Sequence, residues 1–153
     1  NPDLTNENDQ REAGRTAINA FLNGLPALRK LKEQIELAIR ERGHLIGLDK
    51  RILYCRSSFK GLNVLLQAAG ALLMKKVVCL VHEKMEKAGY IYGQDWEQAL
   101  MIHDELQLLV KDELVEDIEE IVLDCFPAAG DYFGFKCLIE GDGKSGDTWA
   151  DTH

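Results

Sequence analysis

Residues 92–111 read YGQDWEQALMIHDELQLLVK. Leu100 and Ile102 alternate with their neighbours, His103-Asp104-Glu105 interrupts, and Leu106, Leu108, Leu109 and Val110 resume the apolar run around Gln107. Two strands of about five residues with a charged triplet between them predict a tight β-hairpin. One strand with a polar interruption fits the same residues. A tip carrying His, Asp and Glu can offer carboxylate oxygens to a hard cation. A solvated turn, with Asp and Glu as ordinary turn residues, is the plainer local reading.

Working outward, the segment upstream is the longest periodic one. Ser57 or Ser58 can cap a helix running to about Ala88, with Leu62, Leu65/Leu66, Ala69, Leu73, Val77 and Leu80/Val81 as its stripe. Asn63 and Gln67 are four apart on one face, and the seam continues through Gly70 and Ala71. Small residues there admit another helix, a backbone or a ligand. The two amides suit a groove edge as well as a buried network. Before this helix, HLIGLDKRILYC predicts a small hairpin turning at Asp49-Lys50. Earlier still, Ala13, Ala17, Ala20 and Phe21 mark a helix from about Arg11. Pro26 opens a second, whose end is marked by Arg40, Arg42 and Gly43.

Downstream, Asp112-Glu113 opens a helix with Ile118, Ile121/Val122 and Cys125 inward and a solvated acidic outer face. Pro127 and Gly130 are expected to end it, with a strand over residues 132–139 and a Gly/Asp-rich tail. The tail lacks the twelve-residue calcium-loop pattern. The order α-α-ββ-α-β-β-α-β predicts an α+β fold, an antiparallel sheet of three strands with helices packed on one side.

The chain has 153 residues, enough for one domain with a core, and is 46% hydrophobic and 29% charged. No apolar run near 18 residues is evident, so no membrane span and no membrane partner are expected. The N-terminus has neither a basic start nor an apolar core, so no secretory signal is expected. Asn1 in place of Met suggests a processed or trimmed chain. Cys55, Cys79, Cys125 and Cys137 form no CxxC pair and sit among apolar residues, which predicts reduced core thiols. Of the formal charge of −8, residues 1–60 contribute +3 and the remainder −11. A nucleic-acid contact is therefore local, or depends on cations and a partner; acidity for solubility alone is an equal reading.

Adjacent carboxylates at Asp104 and Glu105 repel unless a cation or proton intervenes, and neighbours in a strand face opposite ways. At a two-metal centre a carboxylate normally bridges both ions, and no second anchor is evident in this chain.

Three stretches together resemble family A (Pol I-like) DNA polymerases, and within them the T7-like phage branch, over roughly residues 11–153. IHDE at 102–105 is similar to the C motif of the palm; RSSFKGLNVLLQAAGALLMK at 56–75 to the helix lining the primer–template minor groove; FKCLIEGDGKSGDTWADTH to the final strand and tail. The resemblance implies Asp104 as a catalytic metal ligand, Glu105 as its support, His103 beside the primer end, and His153 folded back near the active site. It implies Arg56, Asn63 and Gln67 as DNA-binding residues. The implied fold is an antiparallel palm sheet with packed helices, preceded by fingers-type helices. The implied domains are residues 1–43 as the tail end of the fingers and 44–153 as the C-terminal part of the palm.

The implied function is metal-dependent phosphoryl transfer adding deoxynucleotides to a primer 3′ end. The cofactor would be Mg2+, in a two-metal site completed by a carboxylate outside this chain. Primer–template DNA, deoxynucleoside triphosphate, the polypeptide carrying the rest of the polymerase, and a processivity factor are the implied partners. The family's first palm carboxylate, its Lys/Tyr fingers helix and its thumb have no counterpart here. The chain is therefore expected to be inactive alone, as a split subunit or a fragment of a phage-encoded enzyme acting in the host cytoplasm. The rival reading is a non-catalytic DNA-binding or structural module that retains the palm layer. A free-standing hydrolase using Asp104 and Glu105 lacks locatable further ligands.

Overall fold

The computed structural model describes residues 6–152. Asn6 accepts from the backbone N–H groups of Asn8 and Asp9 at 2.8 and 2.9 Å, and so caps α1 (Glu7–Gly24). The helix thus starts ahead of Arg11, because a capping side chain rather than an apolar stripe sets its beginning. None of its residues is buried, so Ala13, Ala17, Ala20 and Phe21 line an open face. In α2 (Pro26–Arg42), Pro26 takes the first turn and Gly43 closes the end at φ 74, with Arg40 and Arg42 in the last turn. Each of these signals acts as the sequence predicts.

Ile35 and Ala38 of α2 turn inward onto Leu45 in β1 (His44–Ile46). That strand pairs antiparallel with β2 (Ile52–Tyr54), in register His44↔Tyr54. The turn places Lys50 at φ 66, a backbone region that a β-carbon disfavours. Asp49 secures it through an ion pair with Arg51. Ser58–Lys60 form a single 3-10 turn that feeds α3 (Gly61–Ala88). A β-carbon on Gly61 would lie 2.5 Å from Ile35 Cγ2 and 2.6 Å from Ile39 Cδ1, so this glycine lets α3 begin hard against α2.

The chain forms two compact units, one up to Leu66 and the other from Gln67. In the first, Leu62 and Leu65 complete the core of Ile35, Ala38 and Leu45. In the second, Val77, Val81 and Met85 of α3 share a core with Trp96, Ile118, Cys125 and Ala129. Their spacing of four follows the helical period. The segment Ser58–Ala88 is long and apolar enough to cross a bilayer, with a hydropathy of 1.9 over its most apolar window, of which 17% is buried. This corrects the expectation that no such run exists: Lys75 and Lys76 interrupt the run when it is read residue by residue but do not outweigh its leucines and valines over a window. Asn63 and Gln67 are exposed on this helix.

β3 (Trp96–Ile102) and β4 (Glu105–Val110) make the second two-stranded antiparallel sheet. The architecture is α+β, two small antiparallel sheets against helices. The expected third strand over 132–139 is absent. Instead α4 (Val115–Leu123) is followed at once by α5 (Cys125–Phe133), which ends at Gly134 with φ 68. Pro127 does not stop a helix here, because it falls in the first turn of α5, where its missing N–H is harmless. Gly130 is buried inside α5, and a β-carbon there would lie 2.9 Å from Ile139 Cγ1. β-Carbons on Gly141 and Gly143 would come 2.7 Å from the Phe126 ring and 2.4 Å from Glu119 Oε1. Residues 139–143 therefore run back over α5 and α4 as an extended cover. The aromatics at 132–135 carry β propensity, but tertiary burial of one face of α5 overrides it.

The cysteines are also corrected. Only Cys125 is buried; Cys55 is half-buried, and Cys79 and Cys137 are exposed. Burial pushes the Cys125 thiol up, and it donates to the Ile121 carbonyl at 3.1 Å. That makes it a protonated packing residue.

Replacing Gly61 by Ala tests the close approach of α3 to α2. The new methyl group must displace Ile35, which is 4% exposed and stiff at Cβ. Urea denaturation is expected to show a loss of about 1–3 kcal/mol, outweighing the gain in helix propensity.

Candidate functional site: a clasped hairpin with an acidic tip

The β3–β4 register runs from Trp96↔Val110 to Ile102↔Glu105, which leaves a two-residue turn, His103-Asp104. The hairpin reading holds and the single strand is excluded. Glu105 is the first residue of β4 rather than part of the turn. His103 sits at φ 53 and Asp104 has no positive φ, which excludes an I′ connection. Histidine tolerates this region better than most side chains.

A register shift between Gln98 and Leu100 inserts Ala99 as a bulge. One residue of slip reverses every side chain beyond it. Without the bulge Leu100 and Ile102 would share the face of Trp96 and Gln98; with it they share the outer face with Glu105 and Gln107. Leu106, Leu108 and Val110 pack on the inner core. Leu100, Ile102 and Leu109 are correspondingly exposed.

The open ends of the hairpin are clasped. Lys111 Nζ lies 2.8 Å from Asp95 Oδ1, Lys111 N donates to the Asp95 carbonyl at 3.1 Å, and Asp95 Oδ2 accepts from the Ile91 N–H at 2.8 Å. The Lys111 hydrogen bond, then that of Ile91, holds the Asp95 carboxyl below its ordinary range. Lys111 is raised in return, first by its hydrogen bond to Asp95 and then by that charge. Beside the clasp, the rings of His82 and Tyr92 stand 4.8 and 5.1 Å from that of Trp96.

The tip thus carries two exposed groups, His103 and Asp104, on a hairpin anchored at its base. Glu105 is half-buried and accepts from Gln107 Nε2, its neighbour on the same strand face. Among the described residues no three His, Cys, Asp or Glu side chains gather as a metal site. Asp104 offers an exposed carboxylate at the turn that could serve as one oxygen ligand.

The phage T3 DNA-directed DNA polymerase is 30% identical over 160 residues, covering 94% of this chain. The phage T7 enzyme of the same name is 31% identical over the same extent, and that of Escherichia phage Phieco32 is 31% identical over 73% of the chain. The chain belongs to the family A, Pol I-like DNA polymerases. It spans 23% of the length of the T3 and T7 polymerases. Among solved structures, the POL domain of Pol1 from M. smegmatis, in complex with DNA primer-template and dNTP, shares the fold. Its TM-score is 0.66 at 18% identity, covering 77% of this chain and 22% of that one. No protein-family model matches the chain.

The remaining candidate residues are distributed as follows. Asn63 and Gln67 lie one turn apart on the same exposed face of α3. Arg56 is exposed but precedes the 3-10 turn, so it is not on that helix. Arg56 and Asn63 belong to the first unit, and Gln67 and the hairpin tip to the second. His153 lies outside the described residues. Sequence reasoning missed Gln107 as the partner of Glu105, although alternation along a strand puts residues two apart on one face. It also missed the Asp95–Lys111 clasp, which is symmetric about the tip once the turn is known.

The clasp predicts a pH dependence. Asp95 is depressed in the folded state, so its contribution is complete above the ordinary Asp value of about 4 and is lost as pH falls through the lowered value. Acid titrations of the denaturation midpoint are expected to show Asp95→Asn less stable than the unmodified chain near neutrality, with the difference closing at the acid end.

Proposed function

We propose that this chain is the late-fingers and C-terminal palm part of a phage-encoded DNA-directed DNA polymerase, adding deoxynucleotides to a primer 3′ end and active only with the remainder of the polymerase. The observation that carries the reading is Asp104, an exposed carboxylate on a two-residue turn whose hairpin is fixed by a buried inner face and a clasped base. Its family membership supports the reaction, and the 23% coverage of the T7 and T3 enzymes supports the need for further chain.

In this reading residues 1–43 are the end of the fingers and 44–153 belong to the palm. Asp104 would hold magnesium through a carboxylate oxygen, together with a further carboxylate from outside this chain. Bound magnesium would favour the attacking form of the primer hydroxyl and offset charge on the departing diphosphate. Glu105, engaged by Gln107, acts as a positioning residue that stiffens the turn behind Asp104. His103 lies beside the primer end.

Asn63 and Gln67 meet minor-groove acceptors that all base pairs share, so they check geometry without choosing sequence. Arg56 contacts the same surface or a phosphate. The partners are primer–template DNA, deoxynucleoside triphosphate, the polypeptide with the remaining motifs, and a processivity factor. The site of action is the host cytoplasm, with no membrane partner.

Primer extension by the assembled enzyme tests this. Asp104→Ala is expected to abolish extension, and an Asp104→Asn enzyme running at full rate would remove the metal role. Gln67→Ala is expected to cost up to about tenfold in primer–template handling, with lower fidelity and a retained chemical step. Extension by this chain alone would contradict its incompleteness.

A further inference from the structure

From Lys50 to His82 the chain carries six cations and no Asp or Glu, within a protein of formal charge −8. The same segment holds the two most exposed large hydrophobic residues among those described, Tyr54 at 80% and Phe59 at 79%. Neither ring belongs to the core. In β2 the alternation sends Leu53 inward and Tyr54 outward. His44, paired with Tyr54 across the sheet, stands edge-on to it with ring centroids 6.4 Å apart. Phe59 projects from the short 3-10 turn that precedes α3. Arg56 and Lys60, interleaved with these rings, are exposed and form no ion pair among the described residues. All four residues belong to the unit that ends at Leu66.

Exposed aromatic rings alternating with unpaired cations suit a chain of phosphates whose bases have free faces. Stacking tolerates any base, because each has a π face, but it needs bases that are not already stacked in a duplex. The cations match the phosphates between them, which an acid-free segment does not oppose. A purely apolar partner would leave Arg56 and Lys60 without counter-charge.

We propose that Tyr54 and Phe59 form a stacking platform for unpaired bases of single-stranded DNA, with Arg56 and Lys60 holding the phosphates between those bases. The proposal rests on the reading of this chain as a polymerase component. It adds a single-strand contact to the minor-groove contact assigned to Asn63 and Gln67.

Fluorescence anisotropy on the full chain tests it, with labelled oligo-dT of about twelve nucleotides and a labelled blunt duplex, at salt from about 50 to 200 mM. Tyr54→Ala and Phe59→Ala are each expected to weaken oligo-dT binding about tenfold and to leave duplex binding unchanged. Tyr54→Trp and Phe59→Trp are expected to retain oligo-dT binding, which separates ring loss from misfolding. Lys60→Gln is expected to flatten the salt dependence. Oligo-dT binding that is absent from the unmodified chain, or unchanged in both alanine variants, overturns the platform. So does a pattern in which the alanine variants lose only assembly with the remaining polymerase chain, which would give the rings to a protein surface. The polymerase reading fails separately, through full-rate extension by Asp104→Asn, a result that oligo-dT affinity does not influence.

Discussion

The site hairpin depends on the burial of one face of a short sheet. Trp96, Leu106, Leu108 and Val110 are held in the core that Val77, Val81 and Met85 of α3 build. A strand alternates with period two, so any slip of register would exchange the buried face for the outer one. Burial of this set therefore fixes where the turn falls, and with it the position of Asp104. The Asp95–Lys111 clasp reinforces the same register from the other end. The Ala99 bulge then alters only the last few residues, so that Leu100 and Ile102 leave the core side close to the tip.

α3 has two characters along its length. Its later part is ordinary core helix, with Met74, Val77, Val81 and Met85 each at or below 3% exposure. Its earlier part leaves Asn63, Leu66 and Gln67 exposed. The acid-free basic segment begins upstream, with Tyr54 and Phe59 exposed on the first unit. Under the proposed function, this local stretch of opposite sign would let a net negative chain approach DNA.

The legible parts of the fold are those set by local chemistry. Pro26, Gly43 and Gly89 mark helix ends because their backbone preferences act whatever surrounds them. The hairpin at 96–110 was readable from the change to alternating residues around a charged triplet. The strand expected at 132–139 was misread because Tyr132, Phe133 and Phe135 have strand propensity. Its true state depends on Ala129 and Gly130 being buried and on Ile139 returning over Gly130. Cys79 and Cys137 were misassigned for a related reason: apolar neighbours in sequence do not reveal which side of a helix or loop meets the core.

The sequence by itself determined the family, the identity of the candidate ligand Asp104 and the shared face of Asn63 and Gln67. Motif order and helical spacing are properties of the linear chain. Only the tertiary structure decided that Glu105 belongs to the strand and is engaged by Gln107, and that Ala99 turns Leu100 and Ile102 outward. These depend on register, and register is chosen by which face is buried against residues distant in sequence. The charged triplet read first is therefore a two-residue turn bearing one free carboxylate, with the second carboxylate bound into the strand behind it.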